Sequence, residues 1–105
     1  MVVVVGRVKT DADKRAALVR IGQRVAAASR NEAGCISYQV CQDSENEYDF
    51  VFVEQWESED ALQRHFGTPH IAEFMAAIRD VIVEPPDVKF HTVASSRDLA
   101  DVGAS

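Results

Sequence analysis

Trp56, His65 and His70 fall within one short stretch, Glu54 to Phe74, reading E-Q-W-E-S-E-D-A-L-Q-R-H-F-G-T-P-H-I-A-E-F. An imidazole whose ordinary pKa is about 6.5 is the natural acceptor for the proton of a phenol or an enol. An indole offers a flat surface for a planar ligand. Phe66 and Phe74 add apolar walls on either side of the Gly67-Thr68-Pro69 break. Such a set suits a hollow for an aromatic, oxygen-reactive ligand. Each member also has a plainer use: a core tryptophan sealing helix to sheet, or a histidine satisfied at a helix break. His70 stands in the first turn after Pro69, where the helix dipole favours the neutral, base-competent ring.

Metal chemistry asks for a different pattern. A zinc site on one helix takes His at i and i+4 with a further ligand. Here the two histidines are five apart across a break, and only tertiary structure could bring Glu54 or His91 to them. No metal is therefore expected. There is no glycine-rich phosphate loop and no G-x-S-x-G elbow, and nothing calls for a flavin or nicotinamide. The expected cofactor is none.

The elements that must position these residues can be read from periodicity. Val2 to Lys9 is a β-branched strand. Thr10 or Asp11 then caps a helix, and its stripe Ala17, Leu18, Ile21, Val25 and Ala28 runs through to Arg30. Gly34 is the stop. Cys35 to Gln42 alternates as a strand, with Ile36, Tyr38 and Val40 on one side. A polar turn leads to a third strand, Tyr48 to Glu57, making an antiparallel hairpin. Ser58 caps a short helix, Thr68 and Pro69 restart it through Ile78, and Asp80 to Val83 and Val88 to Val93 are strand-like around Pro85-Pro86. Residues 1–93 thus form one domain, and 94–105 a loose tail or short appended turn.

The order β-α-β-β-α-β is that of an α+β, ferredoxin-like split βαβ fold with an antiparallel four-stranded sheet. Helices can cover only one face of that sheet. Val2 to Val5 and Phe50 to Val53 are nevertheless apolar on both, so a second copy of the chain is expected against the other face, as a homodimer or higher homo-oligomer.

Bulk properties exclude other classes. The chain has 105 residues, 47% hydrophobic and 27% charged, with a formal charge of -6. That balance argues against a nucleic-acid partner and against an anionic membrane surface. No run approaches the roughly 20 apolar residues of a spanning helix, and a cytoplasmic location is expected. Cys35 and Cys41, roughly 20 Å apart along one strand, cannot pair with each other. They read as small half-buried thiols in a reducing compartment.

The block Glu54-x-Trp56, Ala61-Leu62, His65, His70 and Phe74, set in this strand and helix order, resembles the antibiotic biosynthesis monooxygenase (ABM) family of the dimeric α+β barrel group. The resemblance spans roughly residues 2–93. It implies a cofactor-independent monooxygenase acting on a small aromatic substrate of quinol or anthrone type, whose anion itself passes an electron to O2. Carried over, Trp56, His65 and His70 are the candidate catalytic residues. Phe66, Phe74 and Met75 would be walls with Phe52, and Tyr38 and Glu54 would supply hydrogen bonds. Haem-degrading relatives carry a first-strand Asn where this chain has Val5, Gly6 and Arg7. Some anthrone oxygenases carry an Asn four residues before the Trp, here Phe52. Three other readings accompany the fold: a non-catalytic dimeric ligand-binding or stress module, an isomerase of small phosphorylated carbonyl compounds served by Arg7, Lys9 and Lys89, and, behind these, a haem-degrading monooxygenase.

Overall fold

A computed structural model of the chain describes residues 1–103, so Ala104 and Ser105, the last two positions of the expected tail, lie outside the described residues. The order is β1 (Val2–Lys9), α1 (Arg15–Ser29), β2 (Cys35–Gln42), β3 (Asp49–Trp56), α2 (Glu59–Phe66), α3 (Pro69–Ile78) and β4 (Asp87–Thr92), followed by a single 3-10 turn, Leu99–Val102. The four strands form one antiparallel sheet in the order β2-β3-β1-β4. This is the ferredoxin-like arrangement, its second helix divided into α2 and α3. Among the described residues no helix is long and apolar enough to cross a membrane.

Strand period two sorts the side chains. Val2, Val4, Gly6 and Val8 stand opposite Trp56, Glu54, Phe52 and Phe50, and all eight are buried beneath the helices. Val3, Val5, Val51 and Val53 line the reverse face and are only half-buried. α1 packs on β2 and against α3, with Gly22 so close to Val40 that an added Cβ would come within 3.0 Å of it. α2 rests on β3 and α3. Every residue of β4 is exposed, which leaves the layer open at that edge.

Four local expectations are corrected. Thr10 does not cap α1; its hydroxyl is buried and donates to the Val81 carbonyl at 2.7 Å, tying the end of β1 to the segment after α3. Asp11 does the capping-type work, accepting from the Asp13 and Lys14 amides, and α1 starts only at Arg15. Asp80 to Val83 is not a strand. Its neighbours are the end of β1 through Thr10 and the Val83 amide bond to Lys9, with no free edge along which to build a ladder. Finally, a bulge between Cys35 and Ser37 breaks the expected alternation, so that Cys35 pairs with Trp56 and Ile36 is turned outward, half of its surface exposed. Cys35 is half-buried as expected, whereas Cys41 is exposed.

Candidate active site

Helix geometry explains how the two histidines meet. Ser58, in extended conformation, accepts the Ala61 amide at 3.1 Å and starts α2 directly after β3. One face of α2 then presents Ala61, Leu62 and His65 to the sheet, all buried. On a continuous helix a residue five further on would stand about 140° away from His65. The break at Gly67 prevents this. Thr68 donates to the His65 carbonyl at 2.7 Å and caps α3 by accepting the Ile71 amide, and the redirected first turn brings His70 back. The two imidazole centroids are 6.0 Å apart.

Glu32 joins them. One of its carboxylate oxygens, Oε2, lies 2.6 Å from His65 Nδ1 and 2.8 Å from His70 Nε2. It sits in the turn between α1 and β2, where Gly34 has φ +85° and a Cβ would be 2.5 Å from that of Ala61. Only glycine fits there, since a side chain would be both strained and in collision with α2. Gly34 thereby lets the Glu32 turn close onto α2. Sequence reasoning missed Glu32. The signal was the hairpin register: Cys35 opposite Trp56 puts the residues just before β2 beside the start of α2.

Behind this trio, Trp56 is fully buried; its ring centroid is 4.5 Å from that of His65, and its Nε1 donates to Glu54 Oε1 at 3.0 Å. The Tyr38 phenol is close enough to the same carboxyl to pull its pKa down. His65 Nε2 faces the same carboxylate oxygen at 3.8 Å. Burial pushes the Glu54 pKa up to about 7, against the pull of the Trp56 and Tyr38 donors. Burial also raises the Tyr38 pKa, with Glu54 adding to it, so the phenol keeps its proton. The His65 pKa is lowered by burial, opposed by the Glu32 carboxylate. A neutral His65 that donates its Nδ1 proton to Glu32 leaves Nε2 as a bare acceptor.

His65 borders a cavity of about 420 Å³ between α3 and the sheet. Val4, Gly6, Val8 and Phe52 form its floor, while Ile71, Phe74, Met75 and Ile78 form its roof. Val88 and Phe90 stand at the open β4 edge, with Arg79 also on the rim. The walls are apolar except at one end, where Tyr38, Glu54 and His65 converge. The six residues expected to bind substrate, namely Tyr38, Phe52, Glu54, Phe66, Phe74 and Met75, all line it. Of the three expected catalytic residues only His65 does. Trp56 lies beneath Glu54 and His65, and His70 opens onto a separate hollow of about 190 Å³ between α1 and α3. Arg7 and Lys9 line a cleft at another end of the sheet, shared with Asp43, Asp49, Glu84 and Asp87. Lys9 is paired there with Asp49 at 2.7 Å, and Lys89 with Asp87 at 2.5 Å.

The sequence profile described as antibiotic biosynthesis monooxygenase matches residues 1–77, which carry every element of this site except β4. The chain belongs to the antibiotic biosynthesis monooxygenase family. A Bacillus subtilis protein named "Putative monooxygenase YcnE" is 30% identical over 88 residues, covering 84% of this ABM chain and 93% of its own length. A Synechocystis protein, sll1783, is 34% identical over 98 residues, or 93% of this chain and 67% of that protein. Among solved structures, Rv0793 from Mycobacterium tuberculosis superposes with a TM-score of 0.85 at 26% identity, covering 92% of this chain and 98% of the other. The ABM match and this superposition agree with the ferredoxin-like fold seen here.

Proposed function

We propose that this ABM-family chain is a cofactor-independent monooxygenase that oxidises a small aromatic quinol or anthrone with O2. The observation that carries the reading is the cavity itself: apolar walls, closed at one end by an imidazole acceptor, a phenol donor and a carboxyl group that exchanges its proton near neutrality. Phe52 and Phe74 touch each other, with ring centroids 5.5 Å apart, and make one continuous aromatic wall; a planar substrate lying against that wall would present its acidic proton to His65. The resulting anion passes an electron to O2, the two radicals combine at carbon, and the hydroperoxide loses water to give a carbonyl. His65 returns its proton to the peroxide, so that one CH2 of an anthrone, or of a quinol in its keto tautomer, and one O2 become one C=O and one H2O. Glu32 holds the His65 tautomer, and the Tyr38 phenol turns from Glu54 to donate to the developing oxyanion once substrate is bound. The apolar walls keep water from the anion.

Aerobic incubation of metal-free protein with reduced naphthoquinols and anthrones, followed with an oxygen electrode, tests this directly. Uptake above the spontaneous rate is expected. Equal uptake by a triple variant at Trp56, His65 and His70 would defeat the enzyme reading and leave a ligand-binding module. The cations offered for a phosphorylated substrate stand at another cleft and Lys9 is already paired with a carboxylate, so the isomerase reading has no comparable support.

The same reading includes a homodimer. Val3, Val5, Val51 and Val53 make an apolar strip on the reverse face, flanked by Gln39, Gln55 and Arg7. A second sheet laid on that strip removes it from water. Sedimentation equilibrium is expected to give twice the chain mass of 11.6 kDa, and Val53→Asp to give the single-chain mass. A wild-type monomer at micromolar concentration would end this part of the proposal.

A further inference from the structure

The three atoms that share protons at Glu32 are also a ligand set. We propose that Glu32 Oε2, His65 Nδ1 and His70 Nε2 form a binding site for one divalent transition-metal ion of the zinc, cobalt or nickel kind. Such a site is independent of any oxygenase activity.

Two imidazole nitrogens and a carboxylate oxygen match the donors that such borderline ions take. All three atoms lie within 4.8 Å of one another. An ion about 2.0–2.1 Å from each nitrogen and oxygen wants its ligand atoms roughly 3.3 Å apart in a tetrahedron. The present separations of 2.6 and 2.8 Å therefore need to open by about 0.5–0.7 Å. The Glu32 turn and the first turn of α3 are the least buried members, so that movement is available without disturbing the core.

A carboxylate suited to the outer position stands 3.8 Å from His65 Nε2 and must close by less than about 1 Å to hydrogen-bond it. A metal-bound imidazole is ordinarily held by a carboxylate or carbonyl on its other nitrogen. When His65 binds through Nδ1 its ring proton moves to Nε2, and there it faces Glu54 Oε1, which the Trp56 indole fixes. An entry path exists on the opposite side. His70 keeps 24% of its side-chain surface and opens onto the hollow between α1 and α3, beside Glu73. The three protein donors leave one tetrahedral position for water at that side. Ligation and base catalysis exclude each other at His65, because a metal on Nδ1 leaves the proton on Nε2.

The test is titration of the chelator-stripped full chain with Co2+, following its visible absorption, and with Zn2+ by calorimetry. One ion per chain is expected, with proton release as the shared protons are displaced. Glu32→Gln and His70→Ala should each weaken binding about a hundredfold or more, and Glu54→Gln about tenfold through the outer partner. His91→Ala, on the reverse face, should change nothing. Circular dichroism checks that each variant is folded, and His70→Gln replaces His70→Ala if the latter is not. Absence of Co2+ absorption and of binding heat up to millimolar ion overturns the proposal. So does binding that survives both Glu32→Gln and His70→Ala, or that is lost in His91→Ala. Because the readout is binding rather than turnover, a protein that takes the ion but consumes no oxygen sinks only the oxygenase reading.

Discussion

Replacing His65 with glutamine is expected to slow oxygen consumption about a hundred- to ten-thousandfold, the range that a positioned general base supplies. The reason is geometric. His65 lines the polar end of the cavity, its pKa is lowered by burial, and Glu32 on Nδ1 holds the ring with Nε2 free of a hydrogen bond, 3.8 Å from Glu54. Tyr38 keeps its proton, and Glu54 is already engaged by the Trp56 indole. His65 is nearly fully buried against Trp56, so a folding defect is the competing explanation for lost activity. Glu32→Gln separates the two. It leaves the core intact yet removes the carboxylate that raises the His65 pKa. The base acts only when unprotonated, so the acidic limb of kcat/KM should move to lower pH in Glu32→Gln, with the maximum reduced. A purely structural Glu32 would lower activity without moving that limb. Wild-type rates in folded His65→Gln would remove His65 from the reaction.

Glu54→Gln should stabilise the folded chain at pH 8 by on the order of 3 kcal/mol relative to wild type, with the difference vanishing below about pH 4.5. The sign follows from the raised pKa. Below 4.5 the carboxyl is protonated in both folded and unfolded chains. Between 4.5 and about 7 only the folded chain holds the proton, so Glu54 costs stability progressively as pH rises, and above 7 the penalty is complete. Glutamine imitates the protonated form: its carbonyl can accept from Trp56 and Tyr38, and it never ionises. His65 works in the opposite direction, because its lowered pKa costs stability as pH falls. The comparison with the variant, rather than the wild-type curve alone, therefore isolates Glu54. Urea unfolding at pH 5 and pH 8 reads it. A difference that is the same at both values would show that burial does not hold the Glu54 proton.

Much of this architecture is legible along the chain because it is local. β-Branched alternation marks β1 and β3, Ser58 and Thr68-Pro69 mark two helix starts, and Gly67 marks the division between them. Those residue types act through their own backbone and nearest neighbours, so single-sequence reasoning reaches them. The apolar residues of the cavity were legible for the same reason. Period two put Phe52 and Glu54 on the face with Trp56, and the helical stripe put Phe74 beneath it.

What the residues alone could not decide is how distant parts of the chain meet. Nothing near Glu32 announces that it reaches 33 and 38 positions onward to two imidazoles; that depends on a left-handed Gly34 packed against Ala61. Nor does local pattern tell that Trp56 backs the polar end of the cavity instead of facing into it, or that Thr10 spends its hydroxyl on Val81. The chain order determined the fold and which side chains share a sheet face, because backbone propensity and strand period act over a few residues. The tertiary structure alone decided which charged and aromatic groups share protons. Those contacts are set by the sum of packing, and by the burial that turns ordinary Glu and His residues into a coupled set.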